Sequence, residues 1–315
     1  MICNKCNKKI PDSSNFCPNC GSKVMNKKIH NKKLLISSIT IIVLLIGIVG
    51  GYQYYKNHFT TQTNNKSNEV SKQVQNTSDK DKVIMFKDSG FDEFIREKIN
   101  KPQGAIHKSD VDYLTHLEIE GHEGAEADIS GIEDMTNLQD LTISFGKIKN
   151  IDKLKELTNL KTLHLEGLEL TDISWLKELK NLETLFLDGN KISDISVLKN
   201  LSKLESLSLK DNNITDISTL KKLPNLKEVY LNTNRVNNVN TLKGGVPKLE
   251  SFSIERNKFT DVNQLITAFK GTKIKSIDLD FNVGISDADI KKLQDAIPAC
   301  TIQYNVRDSE YYKTN

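Results

Sequence analysis

A 22-residue phrase, repeated between Leu141 and about Phe259, constrains this chain more than any other feature. Leu185-Phe-Leu187-Asp-Gly-Asn190-Lys-Ile192-Ser-Asp194-Ile195 returns 22 residues later as Leu207-Ser-Leu209-Lys-Asp-Asn212-Asn-Ile214-Thr-Asp216-Ile217. The first leucine of the phrase recurs at that interval at Leu141, Leu163, Leu185, Leu207 and Val229. It continues at Phe252 and Ile277, with slips to 23 and 25, and begins 24 residues earlier at Leu117. A period of this length means a stack of supersecondary units, since one unit cannot bury its own apolar face.

Each part of the phrase has a physical role. Leu-x-Leu alternates with period two, which predicts a short strand with both leucines facing inward. The Asn that follows (Asn190, Asn212, Asn234, Asn257, Asn282) turns the chain off the strand, and its amide can link one coil to the next. The Ile and the Ile-x-x-Leu-x-x-Leu behind it refill the core from the far side. Ser174, Ser196, Ser218, Asn240 and Asn263 are the expected caps of short convex 3₁₀ turns. The spelling L-x-x-L-x-L-x-x-N is that of a leucine-rich repeat. The expected fold is an α/β-type leucine-rich repeat solenoid with parallel strands on the concave face and short 3₁₀ or irregular structure on the convex side.

Charge divides the chain unevenly. Residues 1–82 hold thirteen lysines against four acids, a balance of +9, while residues 83–315 carry −6. A basic arm near an anionic surface and a separate acidic globule are implied.

The arm begins with cysteines. Cys3-Asn-Lys-Cys6 and Cys17-Pro-Asn-Cys20-Gly21 are two C-x-x-C hooks that offer four thiolates, a tetrahedral shell for one Zn²⁺. Residues 1–25 resemble the zinc-ribbon modules that open many bacterial membrane proteins. So short a segment has too little apolar surface to fold alone, and metal binding would supply its folding energy. The alternative is two disulfides in an oxidising compartment, which the topology below disfavours. The lysines of the arm lack the arginines and interleaved aromatics of a nucleic-acid site.

Leu34 to Gly51 is 18 residues without a charge, followed by Tyr52, Tyr54 and Tyr55. Residues 34–55 therefore read as one transmembrane helix with an aromatic belt at its far interface. A cleavable signal peptide is a poorer reading, because the segment before the span carries a domain and no small-residue cleavage site follows. Lys27, Lys28, Lys32 and Lys33 precede the span and only Lys56 closely follows it. The positive-inside rule then leaves the N-terminus cytoplasmic and the repeats outside the cell. Residues 56–82, rich in Asn, Gln, Ser and Thr, are an expected disordered linker with a reach of roughly 30 Å.

Phe91, Phe94, Ile95 and Ile99 form one helical stripe behind a possible N-cap at Asp88 or Ser89, and a second short helix is expected at Ser109–Leu114. Residues 83–116 would thus be a helical N-terminal cap, 117–305 the repeats with their C-terminal cap, and 306–315 a tail. The cap phrase, from Phe91 through Ile99-Asn100-Lys101-Pro102 to Leu114-Thr-His-Leu117, resembles the bacterial internalin-like leucine-rich repeat family. The Ile-Ser/Thr-Asp-Ile-Ser core of the coils does so as well. The resemblance spans about residues 86–305 and implies a surface protein that binds another protein through the concave face. Two departures stand out. Gly146 and Leu168 replace the turn Asn in the early coils, and no wall-sorting motif follows the repeats, so anchoring falls to the span.

On the concave face one outward column reads Glu118, Thr142, His164, Phe186, Ser208, Tyr230, Ser253 and Asp278. Phe186 and Tyr230 project from strands where burial gives no reason for them, which marks a candidate ligand-binding face together with His164, Glu166, Asp188 and Glu228. Ser208 leaves an expected gap between the two aromatics. No Ser/His/Asp or Cys/His constellation, phosphate loop or H-E-x-x-H occurs, so a non-enzymatic protein is expected. The acidic group Glu118, Glu120, His122, Glu123, Glu126 and Asp128 reads as a solvated loop. Cys300, in an apolar run, reads as a small buried hydrophobe of the C-terminal cap. A transmembrane sensor, coupling recognition outside to the ribbon inside, is the rival to a simple surface binder, and an envelope scaffold is a third possibility.

Overall fold

Nine parallel strands form one sheet in the computed structural model, which describes residues 81–120, 126–144 and 146–305. The cysteine hooks, the 34–55 span, the linker up to residue 80, the 121–125 loop and the tail lie outside the described residues. The strands run in chain order: β1 (His116–Glu120), β3 (Asp140–Ser144), β5 (Thr162–Glu166), β6 (Thr184–Phe186), β7 (Ser206–Ser208), β8 (Glu228–Tyr230), β9 (Ser251–Ser253), β10 (Ser276–Asp278) and β11 (Thr301–Gln303). A second, two-stranded sheet pairs β2 (Glu126–Asp128) with β4 (Lys147–Lys149).

The register is the one that the period dictates. Leu117, Leu141, Leu163, Leu185, Leu207, Val229, Phe252 and Ile277 pair in one row, and Ile302 extends it by a coil. All of these but Ile302 are buried, as are the second inward residues from Ile143 to Leu279. Cys300 is buried beside them. A one-residue slip would turn every leucine to solvent, so the apolar row itself pins the pairing.

The asparagines close the coils. Asn212 donates to the carbonyls of Leu187 (2.9 Å), Leu209 and Lys210, and accepts from the Ile192 amide (2.9 Å). Asn190, Asn234, Asn257 and Asn282 repeat the pattern, each buried and each reaching a carbonyl of the preceding coil at 2.8 Å. Four residues after each first leucine, the chain enters the left-handed region at Gly167, Gly189, Asp211, Thr233, Arg256 and Phe281. From that conformation each amide bonds the next coil, as Thr233 does to Glu255 at 2.8 Å.

The convex caps differ from the sequence reading. The 3₁₀ turns begin at Ser174, Ser196, Ser218 and Asn240, but those side chains do not cap them. The amides of these residues donate to the side-chain oxygens of Asp172, Asp194, Asp216 and Asn238, two positions earlier. A carboxylate two residues back reaches the free amide better than a serine already inside the turn. Asp261, likewise, caps the helix α3 (Val262–Phe269), and Asn263 does not. The last two coils are longer, and the extra residues replace the 3₁₀ turn with α3 and α4 (Asp287–Ala296). Ser286 and Asp289 form a capping box at α4.

At the other end, α1 (Ser89–Lys98) is capped by Asp88 and buries Phe91 and Ile95. The helix α2 (Lys108–Val111) starts a residue earlier than Ser109 suggested. Asp81 and Lys82, assigned to the linker by composition, already bond to this cap. The Lys82 carbonyl accepts from the Lys108 amide (2.8 Å), and the Asp81 carboxylate accepts from the Ser109 amide (3.1 Å). Backbone pairing of Val83 with His107 draws them in. Among the described residues no helix is long and apolar enough to cross a membrane.

Candidate protein-binding face

Strand alternation turns every second residue of β5 to β10 away from the core, in columns that advance about 4.8 Å per coil. On β5 and β6, His164 lies beside Phe186 and the register sets Glu166 beyond His164. The imidazole and the phenyl ring stack with centroids 4.5 Å apart and planes 9° from parallel. Burial and the stack leave His164 Nε2 without a hydrogen-bond partner. Desolvation is the main cause that pulls the His164 pKa down to about 4; the Asp140 carboxylate pulls the other way. His164 is therefore neutral near pH 7. It is half-buried and part of an aromatic pair.

Asp188 follows Phe186 by two residues, and Glu166 is its neighbour in the same column, one coil earlier. One oxygen of Asp188 accepts from the Ser208 hydroxyl (2.6 Å) and the Lys210 amide (2.8 Å). Burial pushes both carboxyls, Asp188 and Glu166, above the usual carboxylate range. For Glu166 the charge of Asp188 adds to the rise, while the Lys210 ammonium opposes it in both. Asp278, further along the face, is raised for the same leading reason.

Tyr230 lies two coils beyond Phe186, and the Lys210 ammonium sits over its ring, 5.0 Å from the centroid. Ser208 between them is 2 % exposed. It is not an open gap but a floor, its hydroxyl held by Asp188. Glu228 lies in the column before the inward leucines, on the far side of Tyr230 from Lys210, and its carboxylate accepts from Ser206 (3.2 Å). The structure thus brings His164, Phe186, Glu166 and Asp188 together, sets Tyr230 opposite them, and leaves Glu228 apart.

Lys210 is the group that sequence reasoning overlooked. Its signal was a diagonal: two residues past Ser208 and one coil before Tyr230, within reach of a long side chain on an adjacent strand. The acidic loop is also partly structural. Asp128 accepts from Ser130 and Asn150, which hold its pKa down at about 2, and Glu126 pairs with Lys149 at 2.6 Å. Among the described residues no group of His, Cys, Asp and Glu is disposed to hold a metal ion.

A family model described as leucine-rich repeats (two copies) matches residues 158–200 and 202–244. A zinc-ribbon domain model matches residues 2–24. No curated protein matches the chain. Among solved structures, the chain is similar to an internalin (inlF) from Listeria monocytogenes, with 26% identity, 69% of this chain and 68% of that chain covered, and a TM-score of 0.56. An internalin C2 (inlC2) from the same organism gives 24% identity, 62% and 94% coverage and a TM-score of 0.48. The chain carries leucine-rich repeats in an internalin-like fold, with a zinc-ribbon match at its N-terminus.

Proposed function

We propose that this chain is a membrane-tethered, non-enzymatic binding protein whose leucine-rich repeat face recognises a protein partner outside the cytoplasm. The observation that carries the reading is the aromatic group on the sheet. Phe186, stacked on His164, and Tyr230 stand outward from strands whose core is already filled by leucines. Rings of this kind, edged by polar groups, are the anchors that protein interfaces concentrate. The wider fold agrees with a binding role, since stacked repeats provide one continuous surface.

Anchoring rests on the sequence: residues 34–55 would span the bilayer, 56–82 would tether the repeats, and the lysines before the span would stay in the cytoplasm. Cys3, Cys6, Cys17 and Cys20 would hold one Zn²⁺. Four thiolates suit zinc and leave no open position, so the ion would serve to fold the segment and not to catalyse.

The test uses the full-length chain on cells. Surface cross-linking should give a protein adduct with the wild type that the Phe186→Ala/Tyr230→Ala double variant loses, with both folded by thermal unfolding. An adduct that survives the double substitution places the binding surface elsewhere. Protease added to protoplasts should remove the repeats and spare the cysteine segment; the opposite pattern refutes the topology. The zinc-ribbon match at residues 2–24 also admits a sensor. Deleting residues 1–25 separates the two, since a binder keeps its phenotype and a sensor loses its output.

A further inference from the structure

We propose that the slot between Phe186 and Tyr230 receives an arginine side chain of the protein partner, with Lys210 standing in for that cation in the free protein. The proposal rests on the binding face assigned above and names what fits there.

The walls are aromatic. His164 on β5 covers one face of the Phe186 ring, so the other face turns along the stack toward β7 and β8. Tyr230 stands two coils on, its stem roughly 10 Å from that of Phe186. Ser208, small and buried, is the floor. A planar group can lie against the ring of Phe186 in such a slot.

The rim is anionic and incompletely satisfied. Asp188 uses one carboxylate oxygen for Ser208 and Lys210, and its second oxygen accepts no hydrogen bond among the described residues. The Glu166 carboxylate has no hydrogen-bond or ion-pair partner among the described residues, although the residue is half-buried. Both carboxyls are raised by desolvation, the mark of charge that its surroundings do not balance. In the two outward columns of the nine-stranded sheet that carry Phe186 and Asp188, Lys210 is the only lysine or arginine among the described residues. Its ammonium already occupies the Tyr230 wall at 5.0 Å, and it is the cation that offsets Glu166, Asp188 and Asp278. The protein therefore places a cation of its own where the slot needs one.

Arginine fits better than lysine for a geometric reason. A guanidinium stacks flat on an aromatic face and presents parallel N–H groups to a carboxylate. An ammonium offers a point charge and no plane, and Lys210 already supplies that.

Saturation-transfer NMR on the full-length chain in detergent micelles tests this with three small probes: N-acetyl-arginine amide, N-acetyl-lysine amide and N-acetyl-citrulline amide. Arginine should take up saturation several-fold more than lysine, and citrulline, its neutral isostere, should take up none. Glu166→Gln and Phe186→Ala should each cut the arginine signal at least fivefold, and Lys210→Met should raise it. Glu166→Gln keeps shape and volume, so it separates lost recognition from lost fold. Equal uptake of arginine and citrulline, or an arginine signal indifferent to Glu166→Gln, overturns the proposal. If the arginine probe fails while the cellular adduct still depends on Phe186 and Tyr230, the arginine assignment falls and the binding face stands. If both fail, the face itself is wrong.

Discussion

Asn212 donates its side-chain amide to the carbonyl oxygen of Leu187, 2.9 Å away and one coil earlier, while its own carbonyl accepts from the amide of Ile192. Replacing it with Ala strands the buried Ile192 amide, at about 1–3 kcal/mol, and takes from the Leu187 carbonyl one of two donors, the other being Asn190 at 2.9 Å. Asn212→Ala is expected to lower stability by about 3 kcal/mol in urea unfolding. The exposed Asn200, which bonds only the Val197 carbonyl of its own turn, should tolerate Ala within about 0.5 kcal/mol. Equal losses at the two sites would show that the ladder does not lock the coils.

His164 should make stability depend on pH. Its folded pKa, about 4, lies below the ordinary 6.5, chiefly because burial disfavours the charged ring. The contribution is fully present above pH 6.5 and is lost as pH falls toward 4, because the unfolded chain takes up the proton and the folded chain does not. The loss should be up to about 3 kcal/mol. In His164→Gln the difference in unfolding free energy between pH 7 and pH 4.5 should shrink; an unchanged difference would assign the acid sensitivity to the carboxylates.

Thr233 holds a φ of 55°, at a position where Gly167 and Gly189 stand in earlier coils. A β-branched residue is strained there, since its Cβ crowds the neighbouring carbonyl. Thr233→Gly should stabilise the fold by about 1 kcal/mol, and Thr233→Asn by somewhat less. Thermal unfolding measures it, and a drop in Tm for both variants would mean that the threonine side chain has a role that offsets the strain.

Co²⁺ added to the reduced full-length chain should give the absorption bands of tetrahedral sulfur ligation and should be displaced by Zn²⁺. Cys17→Ser should weaken binding at least tenfold, whereas Cys300→Ser should leave it unchanged, since Cys300 is buried among the last coils. Retention of full affinity in Cys17→Ser would refute a four-thiolate site.

Much of the fold was legible because a solenoid turns sequence spacing directly into space. Leucines 22 apart are neighbours in one row, so the period of the chain gives the strands, their parallel order and their register without any distant contact being guessed. The asparagine ladder was legible on the same ground. The caps were misread because Ser and Asp both stand in each Ile-Ser/Thr-Asp-Ile-Ser segment. Only the backbone path shows that the Asp172 carboxylate, and not the Ser174 hydroxyl, meets the free amide.

The candidate face divides along the same line. The sequence by itself determined which residues point outward and so named His164, Phe186, Tyr230, Glu166 and Asp188, because strand alternation allows only one choice once the leucines are inside. It named Glu228 with them, and in the structure that carboxylate accepts from Ser206 in the column before the inward leucines. What tertiary structure alone decided is how the outward side chains treat one another. His164 lies on Phe186, Ser208 forms a floor between the aromatics and bonds Asp188, and Lys210 crosses a coil to cover Tyr230. Those contacts run between coils, the last two of them diagonally, and with the burial they impose they set the charge of each group. Desolvation depends on what surrounds an atom from every side, and spacing along one chain carries no record of that.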